Sequence, residues 1–355
     1  MSEWTSAPIF IYGTGAFARD ILDTFTHHDL TVGGFLDHAS RQSEVRGLPV
    51  CAPDALSPEL RASAAVVIGI QNRDANVAAI IVRLESLGFC QIITPVDLYD
   101  HFSDDLGTRY WLTRRTFYAD YQVEIESTAQ LFADQESRDL FDAIVRFRVS
   151  GDYGLLPEPD MQRQYFPADL PAWKTPLRLM DCGAYDGDTL REILSLGIPI
   201  EAVAAYEPDE TNFRKLAETV RENCIPNASL WPCGVYSATT QLRFATGQGE
   251  ASGISASGET VIQCVSLDES APNFAPTLIK MDIEGAEPDA LRGAEKTIAA
   301  YRPGLALSIY HTPAHLWEIP LWVAQFARGN GIFYRYYLRA HGRNCFDTVF
   351  YAIPA

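Results

Sequence analysis

The sequence predicts an α/β protein with two doubly wound sheets, a smaller one first and a larger one behind it. Three observations carry that expectation. Apolar runs end twice in a Gly-rich turn that opens a helix, at Ile9 to Phe25 and at Leu177 to Leu194. Further apolar runs alternate with stretches of helical period, as crossover connections between parallel strands require. Finally, two aromatic runs, Phe333 to Leu338 and Phe346 to Ile353, are joined by His341-Gly342-Arg343-Asn344, which gives the second sheet an antiparallel final strand.

A chain of 355 residues exceeds what one core usually organises, so two domains are the default. The hydrophobic share of 47% and charged share of 21% belong to an ordinary folded protein. The net charge of −18 repels polyphosphates and anionic surfaces, which argues against nucleic acid and membrane as partners. Met1 to Pro8 has neither the basic patch nor the apolar core of a signal peptide, and no stretch has the uncharged length of a membrane span, so the expected location is the cytoplasm. The 7 cysteines form no C-x-x-C pair and read as reduced core thiols rather than disulfides or zinc ligands.

Residues 1–104 form the first expected domain. Ile9 to Tyr12 is a strand, Gly13-Thr14-Gly15-Ala16-Phe17-Ala18 a G-x-G-x-x-A turn, and Arg19 to Phe25 the helix behind it. Thr31 to Leu36 ends at Asp37, the position of a ribose-binding acid in a Rossmann-like fold. Ala64 to Ile70, Val77 to Leu87 and Gln91 to Thr94 then repeat the strand-helix-strand pattern. A lone loop of this kind fits a retained tight turn as well as a working nucleotide site at Gly13, Gly15 and Asp37. IYGTGAFARDI with the later GGFLDH and GLPV resembles the nucleotide-sugar-binding amino-terminal domains of bacterial sugar acetyltransferases, with Phe17 where a histidine often stands. A short-chain oxidoreductase would need Tyr-x-x-x-Lys, and Lys174, Lys215, Lys280 and Lys296 each lack the tyrosine.

Residues 105–174 read as a helical cap or linker. Leu131, Leu140, Phe141, Ile144 and Val145 fall at helical spacing, and Pro157, Pro159, Pro167 and Pro171 prevent further helix. The aromatic character of this stretch favours a cap over a ligand, using Tyr153, Gln164, Tyr165 or Phe166, and Arg109, Arg114 and Arg115 are candidates for a local basic groove.

Residues 175–355 carry the chemistry. DCGAYDGDT, Asp181 to Thr189, is a Gly-rich turn made acidic by Asp181, Asp186 and Asp188, which suits a cationic ligand rather than a phosphate. Ala202 to Ala205 leads into Tyr206-Glu207-Pro208-Asp209, with a carboxylate placed to hold a ribose diol. A third strand ends at Gly234-Val235-Tyr236-Ser237, a candidate contact for an adenine edge. Gln241 to Val265, with Gly247, Gly249, Gly253 and Gly258, reads as a hairpin or mobile loop. Thr277 to Glu287 is a strand that delivers Asp282 and Glu284 to its end, and Leu305 to Tyr310 delivers His311 beside them.

DCGAYDGDT, YEPD, CGVYS, SLDE and IKMDIEGAE, in this order, resemble the FkbM family of S-adenosylmethionine-dependent methyltransferases. LFADQESRDLF, QYF and LRAHGRNCFDTVFYAI extend the likeness to members with an amino-terminal Rossmann-like domain. The resemblance implies a class I methyltransferase domain with a donor site built from Asp181, Gly183, Tyr185, Gly187, Asp188 and Glu207; Gly234 and Asp282 complete the expected contacts. The expected reaction is methylation of a hydroxyl on a small acceptor, a sugar or nucleotide sugar, with a homo-oligomer left open. Such a displacement depends first on positioning and then on a base. The expected base is His311, with Asp282 or Glu284 orienting the hydroxyl and Glu284 also able to brace the next helix through its backbone. A divalent metal on the same carboxylate and imidazole ranks below direct base catalysis. Pro313 argues against a helix through His311 and His315, which leaves His315 as a surface residue. The alternative is a nucleotide-sugar-binding module or oxidoreductase that works through the amino-terminal loop.

Overall fold

A computed structural model describes residues 7–245, 253–254 and 260–355. Most of Met1 to Pro8 and the loop positions Gly247, Gly249 and Gly258 therefore lie outside the described residues, while Gly253 falls in a two-residue strand. The chain divides into two compact units. Unit 1 comprises Met1–Gln122, Leu140–Pro159 and Gly342–Phe346, and unit 2 comprises Val123–Asp139, Asp160–His341 and Asp347–Ala355. The stretch expected as a separate cap, 105–174, is divided between the two.

Unit 1 is built on strands β1 (Ile9–Tyr12), β2 (Val32–Leu36), β3 (Glu44–Val45), β4 (Leu48–Cys51), β5 (Ala65–Ile68) and β6 (Gln91–Ile93), in the order β3-β4-β2-β1-β5-β6. All neighbours pair in parallel except β3 with β4. Because β1 and β5 are buried along their whole length, they read as continuous apolar runs rather than alternating ones. Helix α1 (Ala16–His27) turns Phe17, Ala18, Ile21, Leu22 and Phe25 inward. It lies so close to the sheet that a Cβ on Gly69 would come within 2.8 Å of the Ala18 side chain. The expected strand from Ala64 to Ile70 is found as Ala65–Ile68, with the Gly69 N–H still donating to the Tyr12 carbonyl at 2.8 Å. Helix α2 (Val77–Ser86) follows β5, and α3 (Pro95–Leu106) opens with a capping box in which Thr94 and Asp97 bond each other's backbone. The β3–β4 hairpin had no expectation attached to it; its strands are two and four residues long, too short to show a period.

Unit 2 contains β7 (Leu177–Cys182), β8 (Ile200–Tyr206), β9 (Ala228–Trp231), β10 (Gly234–Val235), β11 (Thr240–Ala245), β12 (Gly253–Ile254), β13 (Thr260–Val265), β14 (Leu278–Met281), β15 (Gly304–Ser308), β16 (Tyr334–Ala340) and β17 (Thr348–Pro354). Seven of them form one sheet in the order β16-β17-β15-β14-β7-β8-β9. The chain starts in the middle at β7, winds outward through β8 and β9, and returns to β14 on the other side of β7. A switch of direction occurs between β7 and β14, and in an open α/β sheet the crevice at such a switch receives the ligand. The remaining strands make a small sheet, β10-β13-β11-β12.

The expected antiparallel final strand is β17, which pairs antiparallel with both β15 and β16. It lies one place in from the edge rather than at it. The burial pattern explains this: Thr348 through Ile353 are all buried, whereas β16 is half-exposed over its first three residues. Arg339 on β16 is held by Asp134 and Asp169 at 2.8 and 2.7 Å, and Ser137 bonds the Leu338 backbone at 2.9 Å, which seals that edge. Among the described residues no helix is long and apolar enough to cross a membrane.

Phe350 is fully buried at the centre of β17 and stacks on Tyr336 with ring centroids 5.6 Å apart. Phe350→Ala should cost roughly 3–5 kcal/mol through lost burial and a cavity. Urea unfolding reads this directly, and a loss below about 1 kcal/mol would mean that β17 is not the packed centre of this edge.

Candidate active site

The site is assembled where β7, β8, β14 and β15 end. After β7 the backbone N–H groups of Gly183 and Ala184 both donate to the Tyr206 carbonyl, at 3.0 Å each, which ties the first loop to the end of β8. Gly183 has φ +77°, and a Cβ there would meet the Asp282 carbonyl oxygen at 1.8 Å. Only glycine permits that crossing. Tyr185 N–H donates to Glu207 Oε2 at 2.9 Å and Asp209 N–H to Oε1 at 2.8 Å, so Glu207 is fixed through both oxygens. Burial pushes the Glu207 carboxyl up to about 7, against the pull of these two N–H groups. Gly187 precedes α4 (Asp188–Ser195), and Asp186 is occupied by an ion pair with Arg191.

Asp181 and Lys280 face each other across the central strands, where the β14–β7 register pairs them. Asp181 is fully buried, and the Lys280 Nζ lies 3.1 Å from its Oδ1, donates to the Gly183 carbonyl at 2.5 Å and sits over the Tyr165 ring. Burial raises Asp181 to about 6 although Lys280 pulls it down. Burial also opposes charge on Lys280, but Asp181, Asp282 and Asp188 outweigh it and hold the ammonium above its ordinary range.

The end of β15 supplies the third group. His311, buried, lies with Nε2 3.2 Å from Asp282 Oδ1 and 3.7 Å from Glu284 Oε2, and with Nδ1 2.8 Å from Glu287 Oε1. Glu287 is fully buried and accepts from the N–H of Ile283 at 2.9 Å and of Gly285 at 3.1 Å. Burial disfavours the imidazolium, yet the charges of Glu287 and Glu284 and the bond to Asp282 raise His311 well above the usual imidazole range. Burial likewise opposes ionisation of Asp282, but His311, Lys280 and the Tyr165 hydroxyl, which donates to Oδ2 at 2.8 Å, hold it well below the carboxylate range.

The expected residues are thus brought together at one set of strand ends: Asp181, Gly183, Tyr185, Gly187, Asp188 and Glu207 in the first two loops, Asp282, Glu284 and His311 in the last two. Gly234 instead begins β10 of the small sheet, paired with Cys264. The brace for the following helix, α5 (Glu287–Arg292), is Glu287 and not Glu284, because Glu284 with φ +56° points its carboxylate to His311. His315 is not on the surface: it is buried, its Nδ1 3.4 Å from Glu287, at the first position of α6 (His315–Gly329) just beyond Pro313. Of the proposed cap residues, Tyr165 reaches the site through Asp282 and receives a bond from Gln164 at 2.9 Å, while Tyr153 belongs to unit 1 and packs on Phe147. In unit 1, Asp37 is engaged by Thr14 and the N–H groups of Ala39 and Ser40, and Gly15 caps α1 with open space beside it. Arg109, Arg114 and Arg115 are each paired with a carboxylate, of Asp20, Asp104, and Asp97 with Asp100, so the expected basic groove is neutralised.

Sequence reasoning passed over Glu287 and Lys280. A lone lysine inside the apolar run Leu278 to Met281 was itself a signal, since such a strand buries the charge and so demands a partner.

Residues 181–343 match the model of the methyltransferase FkbM domain. The crystal structure of methyltransferase FkbM from Methylobacillus flagellatus KT superposes with a TM-score of 0.78 at 21% identity, covering 98% of this chain and 90% of that one, a likeness that establishes the fold. A SAM-dependent methyltransferase from Aquifex aeolicus (TM-score 0.30, 12% identity, 65% of this chain and 98% of that one) and precorrin-6y C5,15-methyltransferase from Geobacter metallireducens GS-15 (0.29, 11%, 64% and 92%) match far more loosely. No curated protein sequence matches significantly.

Glu287→Gln replaces the acceptor of two backbone N–H groups and two imidazoles with a neutral amide. It should cost roughly 3 kcal/mol or more, because a buried charge loses its partner. Denaturant unfolding tests this, and a change within about 0.5 kcal/mol would show that Glu287 is not the anchor of His311.

Proposed function

Because residues 181–343 match the model of the methyltransferase FkbM domain, we propose that the chain transfers a methyl group from S-adenosylmethionine to a hydroxyl of a small acceptor, a sugar or sugar-containing metabolite. The observation that carries this reading is the convergence of two acidic loops, at Asp181 to Asp188 and at Glu207, with the Asp282–Glu284–His311 cluster at a topological switch point. Bound donor supplies an electrophilic methyl group on a cationic sulfur. Asp188 gives the loop a negative field that attracts this charge, Asp181 being paired with Lys280, and Glu207, each oxygen still having a free lone pair, accepts from a ribose diol.

The chemistry asked of the protein is positioning and removal of one proton. The acceptor oxygen bonds to the methyl carbon as the sulfur–carbon bond breaks, the bonding pair stays on sulfur, and the hydroxyl proton passes into the Asp282–Glu284–His311 cluster. Three carboxylates favour the charged form of His311, so proton acceptance belongs to the cluster as a unit rather than to the ring alone. The proton step contributes about 10² to 10⁴ in rate, less than alignment of the two reacting atoms. The acceptor class rests on the resemblance of the first hundred residues to nucleotide-sugar-binding domains.

Calorimetric titration with S-adenosylmethionine, NAD(H) and a panel of UDP- and GDP-sugars tests the reading. Donor binding by the native chain and its loss in Gly183→Arg is expected, and a native chain that binds NAD(H) but no donor overturns it. Donor affinity should also rise with pH as Glu207 loses its proton near 7 and level off above that, since only the carboxylate accepts from both ribose hydroxyls. Glu207→Gln should bind roughly tenfold or more weakly, one charge-assisted bond being worth about 1.5–3 kcal/mol, and without this pH dependence.

A further inference from the structure

The Asp282–Glu284–His311 cluster has the geometry of a metal site as well as that of a proton acceptor. Resting on the methyl-transfer reading above, we propose that Asp282 Oδ1, Glu284 Oε2 and His311 Nε2 hold a divalent cation and that the acceptor hydroxyl reaches the donor as a ligand of that ion. The three side chains each offer a ligand atom, all within 4.8 Å of one another, with separations of 3.2 and 3.7 Å from Nε2. Ligands about 2.0–2.2 Å from one ion lie roughly 3.0–3.5 Å apart at octahedral or tetrahedral angles. Both separations from Nε2 fall at or near that spacing.

The atoms behind the ligands are already committed elsewhere. His311 Nδ1 faces Glu287 Oε1 at 2.8 Å, which leaves Nε2 as the outward nitrogen, and Glu287 is itself fixed by the Ile283 and Gly285 N–H groups. Asp282 Oδ2 takes the Tyr165 hydroxyl at 2.8 Å, which leaves Oδ1 to face the imidazole. A carboxylate behind a ligating histidine and a donor behind a ligating carboxylate are the supports that orient metal ligands. A second grouping, Glu287 with His311 and His315, also satisfies the distances. It is the poorer site, because Glu287 is fully buried with its oxygens committed to backbone N–H groups, whereas the Asp282 and Glu284 side chains are 19% and 27% exposed.

Two carboxylates and one imidazole suit Mg²⁺ or Mn²⁺ and admit Zn²⁺, and three protein ligands leave positions for two neighbouring acceptor oxygens. A vicinal diol would chelate there. The ion acts as a Lewis acid and replaces the cluster as the means of removing the proton: it acidifies the bound hydroxyl, whose proton is released to solvent rather than to the three ligands before the oxygen attacks the methyl carbon and the sulfur–carbon bond breaks. Binding of the ion requires the Nε2 proton to leave as well, with Nδ1–H kept on Glu287.

The test is Mn²⁺ binding by the full chain after chelator treatment, followed by electron paramagnetic resonance and by calorimetry, with Mg²⁺ and Zn²⁺ as competitors. One site is expected, weakened at least tenfold in Asp282→Asn and His311→Gln and roughly tenfold in Tyr165→Phe, which removes only the supporting hydroxyl. Glu284→Gln, at a more exposed position, serves if the buried variants fail to fold, and a cooperative thermal unfolding transition reports that each variant is intact. A native chain that binds donor but no Mn²⁺ overturns this inference and leaves the methyl-transfer reading standing. Mn²⁺ binding undiminished in Asp282→Asn and Glu284→Gln also overturns it, while a chain that binds Mn²⁺ but no donor defeats the methyl-transfer reading instead.

Discussion

The larger unit depends on the approach of two strand ends at position 183. A side chain there would collide with the Asp282 backbone, so the loop after β7 and the loop after β14 share one space only because Gly183 leaves it empty. The contacts across β7 and β14 follow from that closeness. Lys280 can reach from the second strand to the Asp181 carboxylate and the Gly183 carbonyl, and Asp282 is delivered to the same crevice into which Glu207 and Tyr185 open. The sheet order places this approach where the winding direction reverses, the position at which open α/β sheets receive their ligands.

The site concentrates charge to a degree that stability alone would oppose. Asp181, Lys280, Glu287 and His311 are all buried, and ion pairs of this kind seldom stabilise more than an apolar substitute would. Here the compensation is geometric: Glu287 gathers two backbone N–H groups and two imidazoles at one carboxylate, so the turn from Asp282 to Glu287 has a single arrangement. The cost of desolvation is offset by these bonds, which fix the orientation of both rings.

Much of this was legible in the sequence because it is local. The Gly-rich turns, the apolar runs before them and the carboxylates at their ends declare strand, turn and helix within about ten residues, and β7, α1 and β14 are found where those patterns lie. That Asp282 and His311 meet could be foreseen from neighbouring strand ends alone. What escaped was set by packing at a distance. Glu287 stands beside Pro288 in a helix start and reads there as an ordinary first-turn acid; its partners come from the end of β15 and from α6. His315 was read from Pro313, but a proline two places before a helix does not prevent the helix from starting, and burial followed from the helix. The arginines at 109, 114 and 115 suggested a basic surface because their acidic partners lie up to 89 positions away in the chain.

The two units are interleaved along the chain. It passes between them at five places: after Gln122, Asp139, Pro159, His341 and Phe346. The segments before residue 175 that belong to unit 2 are not accessory, since Asp134 and Asp169 neutralise Arg339 inside it and Tyr165 steadies Asp282. Modularity is therefore lower than the order of motifs suggests. A fragment that begins at residue 175 keeps both Gly-rich and acidic loops of unit 2 yet loses the segment that closes its own sheet edge and the phenol bonded to Asp282, and no single cut yields both units intact. Recombination of this architecture with a different partner domain has to exchange dispersed segments together.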